Sequence, residues 1–380
     1  MFSFCFDIKR TKANSAEDSF DALTRLVIFN AKERYGDNFS CAILDRIYFE
    51  LQIIQKLGCS DLFLFLKDLV IFLQRNSHII VARGSIVGSI IAYCLHITEI
   101  DPLQYDLMFE TYLYPELTSF PSVAFNVDEN FDINTIQTIT SSFNIIDNDY
   151  NNHRYEIDFY GFKGLCITKK CTQAIKNKHG ITIDLTKIPN DDEQTFRLIC
   201  DADTSDVFLL DSYDAKHYLK YLQPHCLKEL SAFIALQAPV LIDYIPDFIH
   251  RKQETSSIKY DIPEMEKYLR DTYGLVVYQE QIKLLSRELA SFTRSESNTL
   301  LKVLGRMQIT RKNDFKLKFL KQGQENGHDA EILEKIWNYW ESIAPYVSSK
   351  SHVTSLTLLA YQSAYLKAHY PEEYNQLFNN

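Results

Sequence analysis

Residues 79–100 run from a short apolar stretch through Arg83-Gly84-Ser85-Ile86-Val87-Gly88-Ser89 into a second apolar stretch. That succession reads as strand, glycine turn, helix. Glycines at such a turn let backbone N–H groups approach a phosphate, and the start of the following helix adds its positive dipole end. Ser85 and Arg83 can add a donor and a charge. The other reading of the same residues is a plain turn that joins a strand to a helix.

The remaining chain divides by pattern. Residues 16–75 read as helical, with Glu50-Leu51-Gln52-Ile53-Ile54-Gln55-Lys56-Leu57 repeating apolar positions at three- and four-residue spacing and Gly58 as the stop. Residues 124–165 hold short strand-like runs, the clearest at 155–159, separated by the polar stretch 147–154. Residues 213–380 are mostly helical, at 214–222, 228–236, 262–272, 280–291, 298–304, 330–343 and 355–369. No internal repeat is visible, and the polar run 201–206 places a domain boundary near 205–213.

Charge follows the same division. The net charge of -10 comes from 40 basic and 50 acidic residues. Of these, 19 basic and 30 acidic residues lie in 1–212, and 21 basic and 20 acidic in 213–380. Two units with different surfaces are expected. A generally basic nucleic-acid coat is excluded, but a local basic groove is not. With 46% hydrophobic residues the chain is no disordered polymer, and 380 residues suit one large or two ordinary domains.

The eight cysteines are scattered and none form CxxC, which argues against a zinc module and against a disulfide-stapled secreted domain. The start, MFSFCFDIKR, has no long apolar core and does not read as a signal peptide. The most apolar stretch, 62–73, is broken by Lys67 and Asp68 and falls short of the roughly 20 apolar residues a membrane span needs. The expected setting is soluble, reducing and cytoplasmic, with no membrane.

The glycine turn continues into Ile91-Ala92-Tyr93, Ile97-Thr98-Glu99-Ile100-Asp101-Pro102-Leu103 and Phe109-Glu110-Thr111-Tyr112-Leu113-Tyr114-Pro115-Glu116. This resembles the palm of the bacterial C-family replicative DNA polymerases, the alpha subunit of DNA polymerase III. The second half resembles the fingers of that family. It carries Phe208-Leu209-Leu210-Asp211-Ser212, Ile245-Pro246-Asp247-Phe248-Ile249 and Tyr273-Gly274-Leu275-Val276-Val277-Tyr278-Gln279-Glu280-Gln281. Lys350-Ser351-His352 and Tyr361-Gln362-Ser363-Ala364-Tyr365-Leu366-Lys367-Ala368-His369-Tyr370-Pro371 follow. The motifs occur in family order over roughly residues 45–375. The resemblance implies an α/β nucleotidyltransferase-like palm followed by a mainly helical fingers domain. It divides the chain into an N-terminal lead-in (1–45), a shortened palm (46–205) and fingers (206–380). It also implies a deoxynucleoside triphosphate on Arg83, Gly84 and Ser85, approached by Lys302, Lys350 and His352, and two Mg2+ ions held by carboxylates.

Here the chain departs from its family. The family's Asp-x-Asp after a proline reads Pro121-Ser122-Val123-Ala124-Phe125-Asn126, so the ligand positions are Ser122 and Ala124, and a further family Asp is Asn126. Asp158, in Glu156-Ile157-Asp158-Phe159-Tyr160-Gly161, is the one catalytic and metal-binding carboxylate left. Asp128, Glu129 or Asp147-Asn148-Asp149 are the candidates to substitute. The fingers are altered as well. The family's Arg-Pro-Gly-Pro-Met reads Ala238-Pro239-Val240-Leu241-Ile242, a basic pair reads Leu301-Lys302, and two palm arginines are Thr111 and Leu117.

A basic run survives at Arg306, Arg311, Lys312, Lys316, Lys318 and Lys321, opposed mainly by Asp314. It reads either as a track for a nucleic-acid backbone or as a solvated helix face. His352 reads either as a triphosphate contact or as a structural histidine. Tyr361, Tyr365 and His369 share a helical spacing that suits core packing. By resemblance the expectation is a DNA-directed DNA polymerase of DNA replication with an impaired catalytic site. The alternative is a non-enzymatic scaffold that binds nucleic acid, nucleotide or replication proteins.

Overall fold

The computed structural model describes residues 2–6, 16–128, 130–143, 155–305 and 309–378. The described chain is mostly helical with one small mixed sheet, and it forms two compact units, 1–187 with 372–380, and 188–371.

The first unit is built on four strands, β1 (Phe2–Phe6), β2 (Ile80–Arg83), β3 (Val123–Val127) and β4 (Tyr155–Gly161), in the order β1-β4-β3-β2. β3 and β4 are parallel, and β1 and β2 pair antiparallel at the two edges. Strand period two sorts the side chains. Val123, Phe125, Val127, Ile157 and Phe159 are buried in the apolar core, where the rings of Phe125 and Phe159 stack. Ala124, Asn126, Asp158 and Tyr160 alternate with them and lie on the opposite face.

Three long helices precede β2: α1 (Ala16–Tyr35), α2 (Cys41–Leu57) and α3 (Ser60–Arg75). Gly58 ends α2 at φ 64°, the left-handed conformation that glycine adopts at least cost, and its N–H reaches back to the carbonyl of Gln55. α3 buries Leu62, Phe63, Leu66, Leu69 and Leu73 at helical spacing, so its apolar run is a core helix. The short α4 (Ile90–Cys94) follows the glycine turn, α5 (Ile133–Ser142) follows β3, and α6 (Lys163–His179) follows β4. The polar stretch 147–154 lies outside the described residues. The described residues of the expected lead-in, 1–45, are built into the unit: β1 extends the sheet beside β4, and α1 packs on α3 and α4.

The second unit holds α7 (Glu193–Cys200), α8 (Tyr213–Leu222), α9 (Leu227–Leu236), α10 (Ile245–Gln253), α11 (Glu266–Leu269), α12 (Gln279–Ala290), α13 (Arg294–Leu304), α14 (Ile309–Glu325), α15 (Ala330–Ile343) and α16 (Lys350–His369). The helix expected over 262–272 is broken. Tight three-residue turns, Pro263–Met265 and Arg270–Thr272, flank the single turn of α11. Phe319 of α14 packs between Trp337 and Trp340 of α15, at ring distances of 5.7 and 5.1 Å. α16 buries Thr354, Ser355 and Thr357 because each hydroxyl donates to a carbonyl three or four residues back. α17 (Pro371–Gln376) then returns the chain to the first unit, where Glu373 pairs with Lys178 and His179 of α6.

The units divide between Lys187 and Ile188, upstream of the polar run at 201–206. The reason is α7. Its cap Asp192 accepts from His369, and Phe196 packs on Tyr361, so this helix belongs with α16. Lys367 holds the polar run itself through Asp203 and the carbonyl of Ser205.

Candidate functional site

The pairing of the strands brings the sequence candidates of the first unit into one row. Arg83 faces Ala124 across β2 and β3, and Ala124 faces Asp158 across β3 and β4. Asn126 and Tyr160 form the next pair on the same face. Ala124 puts a methyl group at the centre of the row. Asn126 and Asp158 are only 1% and 6% exposed.

Arg83 leans across this face. Its Nη1 donates to Asn126 Oδ1 at 3.2 Å, and its guanidinium carbon lies 4.4 Å from the centre of the Tyr160 ring. Burial lowers the Arg83 pKa, which Tyr160 opposes. Asn126 Nδ2 is buried and has no hydrogen-bond partner among the described residues. Asp158 therefore shares its face with a cation, an amide and a ring.

The glycine turn has the backbone the sequence suggested. Gly84 takes φ 77°, and Gly84–Gly88 is a tight helical turn between β2 and α4. No heavy atom lies within 4 Å of where a Cβ on Gly84 would stand, so conformation and not crowding demands glycine there. The helix start beyond it does not face a free anion position. Glu50, wholly buried on α2, accepts from the N–H of Ile90 and Ile91 at 3.0 and 3.3 Å and from Ser89 Oγ at 2.7 Å. Ser89 in turn caps the N–H of Ala92. Arg46 clamps Glu50 at 2.7 Å and also donates to the carbonyls of Gly88 and Leu107. Burial pushes the Glu50 carboxyl above its ordinary range, and Arg46, Ser89 and Ile90 pull against it. An internal carboxylate thus satisfies the N–H groups of the helix start whose dipole end the sequence offered to a phosphate, and not those of Gly84 and Ser85.

Other acids of the first unit are also engaged. Asp128, a candidate replacement ligand, accepts from the N–H of Ile79 and Asn130 and stands 3.6 Å from Lys169 and 3.7 Å from His78. Glu99 pairs with Arg34, and Asp101 accepts from Tyr35 and from the N–H of Leu103. Glu129 and Asp147-Asn148-Asp149 lie outside the described residues. Among those described, no group of three or more His, Cys, Asp or Glu stands together as a metal site would require.

In the second unit the structure joins two motifs that the sequence keeps 70 residues apart. Glu280 Oε2 accepts from the N–H of Lys350 at the start of α16, and Gln279 bonds the carbonyl of Val347. Gln281 accepts from the N–H of Val277 and Tyr278 and donates to Thr272 and Tyr268. Lys350 and His352 are half-buried at this junction, with Ser349 capping the N–H of His352. Lys302 is exposed on α13. Tyr361 is buried, donates to the carbonyl of Pro189 and accepts from the N–H of Asp192.

The basic run lies on α14, apart from Arg306, which is outside the described residues. Most of its lysines meet carboxylates. Lys312 pairs with Glu341 and Lys316 with Glu334, each at 2.8 Å, and Lys318 pairs with Glu296. Lys321 stands 4.0 Å from Glu325, and Arg311 is exposed. The lysines beside Glu296 and Glu341 hold those carboxyls below their ordinary range. The sequence reading counted Asp314 as the main opponent and missed these partners, which lie on the neighbouring helices.

Residues 21–150 match the bacterial DNA polymerase III alpha NTPase domain, and residues 165–327 match the bacterial DNA polymerase III alpha subunit finger domain. The chain belongs to the bacterial DNA polymerase III alpha family. It is a distant member. It is 25% identical to the DNA polymerase III subunit alpha of Halalkalibacterium halodurans over 93% of its length, and 26% identical to that of Borreliella burgdorferi over 94%. In Staphylococcus aureus strain COL the figures are 24% and 86%. The chain spans 42% of the length of each of these relatives. The alignment to the Halalkalibacterium protein runs over 473 residues, more than the 380 present here, so stretches of the relative have no counterpart in this chain.

Proposed function

We propose that the chain is a catalytically impaired relative of the DNA polymerase III alpha subunit, a DNA-directed DNA polymerase by descent. It keeps the α/β palm and helical fingers and acts by binding nucleotide or nucleic acid. The observation that carries this reading is the strand row Arg83, Ala124, Asp158, with Asn126 beside it. Two-metal phosphoryl transfer needs several carboxylates on one face to hold both ions. Ser122, Ala124 and Asn126 do not supply them, and the buried contacts of Asp128 are already made. The described residues do not fit a two-Mg2+ site.

A deoxynucleoside triphosphate would meet the charge of Arg83 and the backbone of Gly84 and Ser85, with Lys302, Lys350 and His352 as the fingers' contribution. DNA would meet the α14 lysines. No described helix is long and apolar enough to cross a membrane, and the cytoplasm of the replicative family is the proposed setting. Primer extension tests the reading. The purified chain should extend a primed template more than about a thousandfold below a complete member of the family, equivalent to about 4 kcal/mol of lost transition-state stabilisation. Template-dependent extension that disappears in Asp158→Ala would falsify it. Nucleotide calorimetry with and without Mg2+ tests the binding half: heats of binding that need the metal would contradict a site emptied of carboxylates.

A further inference from the structure

The outer face of α8 has no role in that reading. Its inner face buries Ala215, Leu219 and Leu222. The outer face carries Tyr213, His217 and Tyr221 at four-residue spacing, so the three rings stand above one another. Tyr213 is 84% exposed and Tyr221 56%. The rings of Tyr213 and His217 are nearly parallel, 6.4 Å apart and 10° from coplanar, and His217 lies 5.2 Å from Tyr221. A continuous ladder of exposed rings is a stacking surface.

Its border is acidic at the Tyr213 end, while Lys252, paired with Glu229, stands at the Tyr221 end. Residues 201–222 hold five aspartates against Lys216 and Lys220. Asp206, Asp211 and Asp214 are exposed. Lys216 bonds Asp211 Oδ1 at 2.6 Å and Ser205 Oγ at 3.1 Å, which fixes the acidic loop against the helix. A nucleic-acid backbone would be repelled by this rim. A guanidinium or ammonium would be attracted twice, by the ring faces through cation–π contact and by the carboxylates.

We infer that the Tyr213, His217 and Tyr221 face of α8 is a docking surface for an arginine- or lysine-bearing segment of a protein partner. Fluorescence anisotropy at near-physiological salt tests it. The probes are a labelled peptide of alternating arginine and glycine and a labelled oligothymidine. The intact chain should bind the peptide. Tyr213→Ala with Tyr221→Ala should weaken binding about tenfold, the summed effect of two exposed cation–π contacts. Tyr213→Phe with Tyr221→Phe should restore it, since the rings remain. Both pairs change exposed side chains and leave every charge in place, so general attraction to an acidic protein would not respond. Equal peptide affinity in the alanine variant, no peptide binding by the intact chain, or oligothymidine binding that is lost with the two rings would each overturn the assignment.

Discussion

The strand face around Arg83 and the helix α14 both carry cations that the family resemblance assigns to phosphates, and they keep them differently. Arg83 is held by neutral partners, the buried Asn126 amide and the half-buried Tyr160 ring. The α14 lysines are held by carboxylates at the surface, with Glu334 55% exposed beside Lys316. Exposed pairs contribute only about 0.2–1 kcal/mol each, whereas leaving a buried polar group without its partner costs about 1–3 kcal/mol. A lysine on α14 can therefore exchange its carboxylate for a phosphate at little cost. Arg83 can reach a triphosphate only by giving up contacts that the sheet needs. Binding to a nucleic-acid backbone should be the easier of the two proposed interactions.

The largest effect expected lies behind the glycine turn. Glu50→Ala removes the carboxylate that satisfies Ile90, Ile91 and Ser89 and leaves Arg46 without its partner. Breaking a buried pair in this way costs about 3–5 kcal/mol. Urea unfolding should show that loss, and Glu50→Gln should lose less because an acceptor remains. A loss under about 1 kcal/mol in Glu50→Ala would mean that the turn is held by its backbone alone, and the contrast with α14 would collapse.

Arg83→Ala comes next. It strips Asn126 of its bonded partner and Tyr160 of its cation, for about 1–3 kcal/mol of stability. A triphosphate that still bound normally to this variant would show that Arg83 serves the sheet and not a ligand.

A gain is expected at Val240. This residue takes φ 66° and ψ -40°, with the N–H of Leu241 closing on the carbonyl of Pro239. A γ-turn of this hand is strained, and more so for a β-branched residue. Val240→Gly should stabilise the second unit by about 1 kcal/mol, relief of strain less the backbone entropy of glycine. An unchanged or lower midpoint in thermal unfolding would show that the turn relaxes without it.

Smaller again is the pair that brings α17 back to the first unit. Glu373 is held at a pKa of about 2, by Lys178 first and then His179. Its folded pKa lies below the unfolded value near 4.3, so its stabilising contribution is complete above that value and fades as pH falls toward 2. The stability difference between wild type and Glu373→Gln should shrink as pH falls from about 5 toward 2. A difference that grows over that range would contradict the sign.

Much of the fold was legible because local chemistry decided it. The apolar periods of α2 and α3, the stop at Gly58 and the strand, turn, helix order at 79–100 each rest on residues close in sequence. The site was legible in composition but not in contacts. That Ser122, Ala124 and Asn126 stand where the resemblance implies carboxylates is read from the sequence alone. That Glu50 caps α4 does, since its partners lie about 40 residues away and a lone acid in an apolar helix reads as a solvent-facing residue. The one available signal was Arg46, four residues before Glu50 and so on the same helix face. The α14 lysines were misjudged for the same reason: Glu296, Glu334 and Glu341 lie on other helices.

The sharpest test of the comparison is on α14 itself. Lys316→Glu with Lys318→Glu removes two surface pairs and sets like charges near Glu334 and Glu296. The loss of stability should stay near 1 kcal/mol, because exposed charges are screened and their side chains can turn away. Binding should respond far more. If these lysines track a DNA backbone, the wild-type affinity for single-stranded DNA should fall steeply with salt, and the double reversal should weaken binding for all sequences alike and flatten that slope by about two phosphate contacts. Equal affinity and an equal salt slope in the variant would make α14 a helix zipped to its neighbours and nothing more. Arg83 would then be the better phosphate ligand in spite of its burial, and the order of the two regions would be reversed.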